Sequence, residues 1–556
     1  MEPVAVLADP HFHDIDYRQG AGRGPGVAFR TLADTAESTR VFNESFVAMP
    51  ALLDDIVARG IRIAVLLGDL TDDGQASTMR AAVALLDRYR ERHGLRVFAT
   101  PGNHDLYAIH GRHQSKRFLN PDGGHTLVTS DPAAGQGASV ARIVDAEMYC
   151  GGYGSALAAM ADFGFFRRPD HLHWECPFGD DDRLAARTFR VRSADGGTSR
   201  RMIDASYLVE PAAGLWLLSI DANVFEPRDG DGDPEAEASY IDSTDAGWNA
   251  MLRHKPFVVG WMADVARRAQ AAGKRLLAFS HYPALDPLGG AHADEVALFG
   301  ETGHVRRAPA EAVAAALAGA GVGVHFSGHL HVNATSSWRR DGDFLVNVAV
   351  PSTVAFPSGY KIATFEGGEL AVETVALDSV PGHDRAFAAY RAEIGRAGPS
   401  HAGLVEASSL GDFLNRHISE LAASRYLPRE WPARIAAIAQ NLDLADLGAM
   451  AGVEVEPLPF ATLLSDWYRL RKGGELALPA IPAERLRAYA TLGQAFAARA
   501  WPEGSLEAWF AGFFRMLRAY LEAPPSRDFR IDLATGAILR EAAYRGRTER
   551  RHTGSA

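Results

Sequence analysis

The chain has 556 residues, of which 47% are hydrophobic and 23% charged, which is the composition of an ordinary globular protein. Its length is too great for one hydrophobic core, so two or more domains are expected. The net charge of −12 at pH 7 argues against bulk electrostatic affinity for nucleic acid or for an anionic membrane surface.

The cysteine content and the N-terminus favour a cytoplasmic location. Cys150 and Cys176 are the only cysteines, so structural disulfides are not expected and a reducing compartment fits the chain. The first predicted strand begins at residue 4, which leaves no room for a signal peptide. No apolar run approaches the ~18 residues of a membrane span. We therefore expect no membrane association.

Five apolar segments have the length and composition of buried strands, and each is followed by a short polar motif. They are residues 4–8 before Asp9-Pro10-His11, 61–67 before Gly68-Asp69, 95–99 before Gly102-Asn103-His104-Asp105, 274–279 before Ser280-His281, and 321–326 before Gly328-His329-Leu330-His331. In open α/β sheets the ligand crevice lies outside the carboxyl ends of the strands. The motifs are therefore expected to meet at one edge of the sheet.

Helical patterns alternate with these strands, which favours a layered α/β fold. Apolar residues at spacings of three and four predict helices over 42–59, 76–92, 251–270 and 308–317, and residues 14–40 are predicted to be a loop. Further strands are predicted over 344–350, 360–365 and 369–375.

The rest of the chain is expected to form a cap, a second domain and a tail. Residues 106–205 show no sustained period but are rich in aromatic side chains, which favours an ordered cap insertion over disorder. A mostly helical C-terminal domain is predicted over 379–540, where apolar residues again recur at helical spacing. The arginine-rich residues 541–556 are predicted to be a basic flexible tail.

Taken together, the five motifs resemble the ordered motif set of the calcineurin-like metallophosphoesterases. The resemblance covers residues 1 to about 375, and within the family it is greatest to the bacterial cyclic-nucleotide phosphodiesterase-like branch. Purple acid phosphatases carry a metal-binding tyrosine three residues after the bridging aspartate, where this chain has Asp72. The resemblance implies an α/β (α+β) four-layer α-β-β-α sandwich over residues 1–378.

The resemblance also implies a dinuclear metal site and the roles of its residues. The first metal would be bound by Asp9, His11, Asp69 and His331, and the second by Asp69, Asn103, His281 and His329, with Asp69 bridging the two ions. His104 would protonate the leaving oxygen or stabilise developing charge, and Asp105 would hold the tautomer of His104. The mixed imidazole, carboxylate and amide ligands suit Mn, Fe, Zn, Co or Ni better than Ca.

The implied reaction is hydrolysis of a phosphate ester by in-line attack of a metal-bridging hydroxide. Two divalent ions outweigh the charge of Asp9, Asp69 and one hydroxide, so the site would attract an anionic substrate even in an acidic protein. A small phosphodiester is favoured, with a 3',5'-cyclic nucleotide as one candidate. A phosphomonoesterase or a nucleotide pyrophosphatase using the same site stays open.

Other interpretations of the sequence are less favoured. A nuclease is disfavoured by the net charge and by the lack of a basic stripe with interleaved aromatics. A non-catalytic metal-binding scaffold acting through the helical domain is the rival from another class, and the oligomeric state is open. His13 is expected to be a neighbour of the site or a surface residue and not a third ligand. The His171–His173 pair in the cap is expected to be packed or exposed, with contact to the substrate as the alternative. Asp72 and Asp73 could support Asp69 or simply form a turn.

Overall fold

The computed structural model describes residues 1–540 apart from positions 23, 25, 138, 245 and 246. The predicted tail at 541–556 lies outside the described residues. The strands are β1 (Val4–Leu7), β2 (Ile63–Leu66), β3 (Arg96–Ala99), β4 (Ser115–Leu119), β5 (His125–Thr129), β6 (Ala141–Val144), β7 (His173–Glu175), β8 (Thr188–Arg192), β9 (Ser199–Ile203), β10 (Tyr207–Ala212), β11 (Leu215–Ile220), β12 (Glu226–Pro227), β13 (Tyr240–Ile241), β14 (Arg275–Ser280), β15 (Val324–Ser327), β16 (Ala334–Arg340), β17 (Asp343–Ala349), β18 (Gly359–Glu366), β19 (Glu369–Ala376), β20 (Phe529–Asp532) and β21 (Ile538–Arg540).

The α-helices are interspersed with strands up to β15 and dominate the chain between β19 and β20. They are α1 (Leu32–Glu37), α2 (Ser45–Ala58), α3 (Ala76–His93), α4 (Tyr153–Ala159), α5 (Gly247–His254), α6 (Pro256–Ala271), α7 (His292–Phe299), α8 (Gly303–Arg307), α9 (Glu311–Gly319), α10 (Phe387–Ala397), α11 (Leu410–Leu421), α12 (Leu427–Glu430), α13 (Ala433–Ala439), α14 (Leu444–Ala451), α15 (Phe460–Gly473), α16 (Ala483–Ala497) and α17 (Leu506–Leu521). Within the described residues, no helix combines the length and apolarity needed to cross a bilayer.

Two seven-stranded sheets form the centre of the molecule. The first has the order β21-β20-β19-β18-β1-β2-β3, in which β1, β2 and β3 are parallel and the other neighbours are antiparallel. The second has the order β16-β17-β15-β14-β11-β10-β7, with β17, β15, β14 and β11 parallel. The parallel strands lie at one end of the first sheet and in the middle of the second, and β1 and β2 are buried along their whole length. Burial on both faces explains their continuous apolar sequences.

The sheets pack face to face, and helices cover their outer faces. One apolar core joins both sheets to α2 and α3 on the first sheet and to α6 and α9 on the second. Tyr207 on β10 reaches across to the first sheet, where its hydroxyl donates to the carbonyl oxygen of Ala99 at 2.8 Å. This arrangement confirms the predicted α/β fold of four layers.

The predicted cap is ordered and contains several small elements. Strands β4, β5 and β6 form a separate three-stranded sheet, and β8 pairs with β9 in a hairpin. Strand β7, however, pairs with β10 at the edge of the second sheet, so this part of the predicted insertion belongs to the sandwich. Its sequence is only three residues long, too short to show a period.

Two helices differ from the sequence prediction. Residues 14–40, predicted to be a loop, contain the short helix α1, whose N-terminus is capped by Thr31 accepting a hydrogen bond from the Asp34 amide. The helix predicted over 251–270 is two helices, because Pro256 cannot donate the amide hydrogen bond that a continuous helix requires there.

The C-terminal part has a second apolar core formed by α10 to α17, on which α1 and α7 also pack. The predicted helical domain extends to residue 540, but the last helix ends at Leu521. The chain then returns to the first sheet, where β20 pairs with β19 and β21 pairs with β20. The end of the predicted helical domain is therefore part of the sandwich.

Candidate metal centre

Seven polar side chains follow the carboxyl ends of parallel strands and meet between the two sheets. They are Asp9 after β1, Asp69 after β2, Asn103 after β3, His281 after β14, and His329 and His331 after β15, together with His11. All are buried, with His329 the most exposed at 8%. Buried polar groups need partners, so this cluster requires compensation by hydrogen bonds or by a bound cation.

Six of these side chains form two groups of potential ligand atoms. Asp9, His11 and His331 bring one ligand atom each to within 4.8 Å of one another, and so do Asp69, His281 and His329. The family resemblance assigned Asp9, His11 and His331 to one metal and His281 and His329 to the other. The two groups divide these residues in the same way.

Asp69 lies between the two groups, and Asn103 adds to the second. The Oδ2 atom of Asp69 is 3.5 Å from Nε2 of His11 and 3.3 Å from Nε2 of His281. The Asn103 Oδ1 atom is 3.0 Å from the same His281 nitrogen. One carboxylate can thus reach both groups, as a bridging ligand must.

Hydrogen bonds to backbone carbonyls fix the tautomers of the histidines in the second group. His281 contacts the Leu67 carbonyl through Nδ1 at 2.7 Å, and His329 contacts the Thr244 carbonyl through Nε2 at 3.1 Å. A carbonyl only accepts, so each contacting nitrogen carries the proton and the other nitrogen holds a lone pair.

When both rings are neutral, their remaining nitrogens face acceptors without a hydrogen between them. Nε2 of His281 lies 3.1 Å from Nδ1 of His329 and also faces Asn103 Oδ1 and Asp69 Oδ2. Four acceptor atoms that converge in this way repel one another unless a cation lies among them. The donor set therefore fits a divalent metal ion.

The backbone at five of the ligands is left-handed, a conformation that non-glycine residues rarely adopt. The φ angles are 47° at Asp9, 40° at His11, 51° at Asp69, 69° at His329 and 51° at His331. Such strain costs of order 1–3 kcal/mol per residue and persists mainly at functional sites. It turns alternate side chains of the Asp9-x-His11 and His329-x-His331 motifs into the same space.

Two glycines next to the ligands leave room for the carboxylates. A Cβ atom on Gly102 would lie 2.1 Å from Oδ1 of Asp69, and one on Gly328 would lie 2.7 Å from Oδ2 of Asp9. Both distances are shorter than any Cβ contact allows. The glycines of these motifs are therefore needed for the close approach of backbone to ligand.

Burial and neighbouring charges change the pKa values of the ligands. Burial raises the pKa of Asp9 to about 8, although the nearby His281 opposes the shift. Burial opposes protonation of His281, but the carboxylates of Asp69 and Asp9 raise its pKa to about 9. Without a cation, Nε2 of His281 therefore carries a proton, which binding of a metal ion would displace. Burial, followed by the charge of Arg40, lowers the pKa of His331 to about 3, so this ring is neutral and able to bind a metal.

His104 lies at the edge of the centre, and its partner differs from the prediction. Its backbone amide donates to Oδ1 of Asp69 at 2.8 Å, and its ring packs edge-on against His11 with centroids 4.9 Å apart. The Nδ1 atom of His104 contacts Asp73 and not Asp105. The predicted role of Asp105 in holding the tautomer of His104 is therefore wrong.

Asp105 instead holds two of the ligand loops together. One of its oxygens accepts from the Thr71 amide and the other from the Gly102 amide, each at 3.1 Å. It is buried, and its side chain thereby ties the loop after β2 to the loop after β3. Asp105, the sequence neighbour of His104, therefore accepts from backbone amides, while Asp73 from the loop after β2 contacts the imidazole.

A buried charge network next to His104 was not predicted. Asp72 accepts from Arg30 at 2.9 Å, from Arg40 at 2.7 Å and from Lys116 at 3.3 Å. Asp73 also contacts Arg40 and Lys116. These basic residues come from the first loop and from β4, and no motif marks them in the sequence. In the sequence, only the consecutive Asp72 and Asp73 pointed to a supporting role near Asp69, and a turn explains these two residues equally well.

The other histidines considered lie outside the cluster. His13 contacts the Ala28 carbonyl at 2.7 Å through Nε2 and stacks on Phe118. His173 contacts Glu175, and His171 accepts from the Arg168 amide at 3.3 Å. Their roles in the structure are the local ones that the sequence favoured.

Comparison with known proteins identifies the first part of the chain. Residues 2–156 match the family model described as calcineurin-like phosphoesterase. A solved structure of a dimetal phosphatase from Danio rerio matches with 11% identity and a TM-score of 0.34, covering 67% of this chain and 95% of that one. No curated protein matches the sequence. The family match confirms the resemblance, and we conclude that residues 2–156 belong to the calcineurin-like phosphoesterases, a superfamily of metal-dependent phosphoric ester hydrolases.

Proposed function

We propose that the protein is a dinuclear metal-dependent phosphoesterase that hydrolyses a small phosphodiester, with a 3',5'-cyclic nucleotide as the first candidate. The observation that carries the proposal is the pair of ligand groups, Asp9-His11-His331 and Asp69-His281-His329, each with its ligand atoms within 4.8 Å. Asp69 and Asn103 complete the two sets.

The ligand chemistry supports the preference for an anionic diester. Two bound divalent ions would supply the positive charge that polarises a phosphoryl group and lowers the pKa of water. Of the seven ligands only Asp9 and Asp69 are carboxylates, so the ligands neutralise half of that charge and leave the other half. A phosphodiester with its single negative charge would therefore still be attracted.

We assign proton transfer to His104, held by Asp73. The contact of Asp73 with Nδ1 fixes the imidazole and leaves Nε2 to assist the leaving oxygen. Arg40 reaches both Asp73 and Nδ1 of His104, at 3.4 Å each, and adds positive charge beside the position of the substrate. This dyad replaces the His104–Asp105 pair suggested by the motif.

Metal identity and location are also part of the proposal. The mixture of nitrogen and oxygen ligands supports Mn, Fe, Zn, Co or Ni. Both cysteines are buried and unpaired, which is consistent with a cytoplasmic protein.

The test is hydrolysis of bis-p-nitrophenyl phosphate by the manganese-loaded protein. Asp69→Asn should lose at least a hundredfold in kcat, because one ligand of both metals is weakened. The matched control is Asp341→Asn, whose side chain is 91% exposed, and it should keep wild-type turnover. Full activity of Asp69→Asn would refute the assignment.

His104→Ala separates metal binding from proton transfer. Since the side chain is not among the proposed ligands, this variant should keep its manganese content while losing turnover. Loss of metal would mean that the imidazole has another role. Parallel assays on cyclic nucleotides, phosphomonoesters and nucleotide sugars would decide between a diesterase, a monoesterase and a pyrophosphatase.

A further inference from the structure

Residues 242–244, which lie between β13 and α5, contact two of the ligands proposed for the second metal. We call these three residues the supporting segment. The hydroxyl oxygen of Thr244 accepts from Nδ2 of Asn103 at 3.3 Å. The backbone carbonyl of Thr244 accepts from Nε2 of His329 at 3.1 Å. One residue outside the five sequence motifs thus contacts two ligands through two different atoms.

The side chain of Asn103 must be held in one of two orientations that have nearly the same shape. Its oxygen has the lone pairs that a metal requires, whereas its nitrogen only donates hydrogen bonds. In the structure the oxygen lies 3.0 Å from Nε2 of His281, and the nitrogen faces Thr244. A metal ion would displace the proton on Nε2 of His281, so this contact cannot hold the amide once the metal is bound. The orientation must then be held at the nitrogen end.

Asp242 makes the Thr244 hydroxyl selective for the nitrogen end of the amide. The hydroxyl has one proton, and it donates that proton to Oδ1 of Asp242. The same oxygen accepts from the Thr244 amide at 2.7 Å, which fixes the carboxylate beside the hydroxyl. Because a carboxylate only accepts, the proton stays on that side and only lone pairs of the hydroxyl face Asn103. The NH₂ group fits this position, whereas the amide oxygen would be repelled.

Arg112 holds the other oxygen of Asp242 and joins the supporting segment to the loop after β3. Its guanidinium donates to Oδ2 of Asp242 at 2.9 Å and lies over the ring of Tyr107, 4.7 Å from the centroid. Tyr107 is buried and comes four residues after Asn103. The loop that carries Asn103 therefore contacts the supporting segment at two places, which restricts movement of the amide relative to its partner.

We propose that Thr244, oriented by Asp242, is a positioning residue that selects the oxygen of Asn103 as the ligand atom and thereby sets the affinity of the second metal. This inference rests on the proposed dinuclear phosphoesterase and adds residues that the family motifs do not contain. Groups that hydrogen-bond to metal ligands orient them, and their loss typically lowers metal affinity by about 10- to 100-fold. Since Asn103 and His329 both belong to the second set, the first metal should bind with little change.

Titration of the metal-free protein with manganese, followed by calorimetry, tests the proposal. The wild-type protein should bind two manganese ions. Thr244→Val keeps the shape of the side chain and the carbonyl that His329 contacts, but it lacks the hydroxyl. This variant should bind one ion as the wild type does and the other about tenfold to a hundredfold more weakly. The electron paramagnetic resonance signal of a coupled manganese pair is a second readout that does not depend on turnover, and it should appear at higher free manganese in the variant.

Further variants show whether the hydroxyl and its orientation are responsible. Thr244→Ser restores the hydroxyl and should bind both ions as the wild type does. Asp242→Ala leaves the hydroxyl proton free to face Asn103 and should weaken the same ion. The double variant should lose no more affinity than Thr244→Val alone, because the carboxylate acts through the hydroxyl. Thr491→Val is the matched control and should bind both ions normally, since Thr491 is exposed on α16 and donates to the Arg487 carbonyl.

The outcomes separate this inference from the proposed function. Wild-type affinity for both ions in folded Thr244→Val, or no recovery in Thr244→Ser, would overturn the positioning role while the phosphoesterase proposal stands. Thermal unfolding checks that each variant is folded, and if Thr244→Val is not, unchanged manganese binding by Asp242→Ala would overturn the inference by itself. A wild-type protein that binds no manganese would overturn the phosphoesterase proposal and this inference with it.

Discussion

At the scale of single residues, the centre depends on unusual backbone turns after ordinary strands. Asp9 and His11 are two positions apart, as are His329 and His331, and in an extended strand both members of each pair would point to the same face. Here the chain has left the strand, and left-handed backbone at all four positions directs the side chains into one space.

Asp73 and Asp105 are expected to differ in their effect on the reaction. Asp73→Asn should lower kcat on bis-p-nitrophenyl phosphate by about tenfold to a hundredfold, since general acid–base assistance contributes about 10²–10⁴-fold in total. Losing the carboxylate should also lower the pKa of His104, so the limb of the pH profile that reports this histidine moves to lower pH.

Asp105→Asn should instead lower the free energy of unfolding by about 1–3 kcal/mol, because the new amide group faces a backbone N–H donor. The shape of its pH profile should match that of wild type. A shifted profile in Asp105→Asn, with none in Asp73→Asn, would restore the pairing suggested by the motif. Urea unfolding and pH–rate profiles measure both quantities.

The sequence was sufficient to gather the ligand candidates because each one follows a recognisable apolar strand within a few residues. It was insufficient for the partner of His104. Asp73 lies over thirty residues earlier in the chain than His104, and its position depends on how the Asp69 loop turns. Arg40 and Lys116 reach the same place from a loop and from the cap sheet, which no local pattern connects.

At the scale of elements, helix α2 carries a buried carboxyl group that should make stability depend on pH. Glu44 is the N-cap residue of α2, where its side chain makes no capping hydrogen bond and instead accepts from the Tyr390 hydroxyl of α10 at 3.2 Å. Burial raises its pKa from 4.5 to about 7. A raised carboxyl pKa means that the folded state binds the proton more tightly, so this contribution to stability is complete below pH 4.5 and is lost as the pH rises through 7.

Glu44→Gln should therefore be more stable than wild type above pH 7, by up to about 3 kcal/mol, since one pKa unit corresponds to about 1.4 kcal/mol. At pH 4.5 the difference should disappear. The free energy of unfolding in urea at the two pH values measures it. An exposed control is Glu503→Gln, in the turn before α17, which should show no such difference between the two pH values. A variant less stable than wild type at high pH would contradict this account.

The predicted element boundaries agree with the structure where the apolar periodicity is strong. They are wrong where a single residue, such as a proline or an N-cap, decides the boundary. Helix α3, predicted over 76–92, is observed at Ala76–His93. Pro256 divides the next long pattern, although the apolar spacing continues across it. Thr31 and Asp34 signal the N-terminus of α1, but a helix of six residues has too few turns for a period to be seen.

At the scale of the whole molecule, the first strand and the last strand of the described residues belong to one sheet. Lys361 on β18 is fully buried and donates to Asn333, to Thr374 and to the Ser526 carbonyl, at 2.8, 2.8 and 2.7 Å. The last of these acceptors lies beyond the helical part. The predicted boundary at 378 therefore separates a buried ammonium group from one of its partners.

A fragment of residues 1–378 should for this reason fail to fold into a stable domain. It loses β20 from the edge of β19, one acceptor of Lys361 and the helices that cover the second core. Expression of the fragment should give aggregated protein under conditions in which the full chain stays in solution. A monomeric fragment with a Tm within a few degrees of that of the full chain would show that the domains are independent. Sequence alone could not suggest this, because β20 pairs with a strand that precedes eight helices.

The central claim is that two divalent cations are bound between the sheets, and anomalous diffraction from crystals soaked in manganese tests it most directly. The account predicts two anomalous peaks, one among Asp9, His11 and His331 and the other among Asp69, His281 and His329, with Asp69 next to both. Crystals with no peak at these residues, or with only one under saturating manganese, would contradict it.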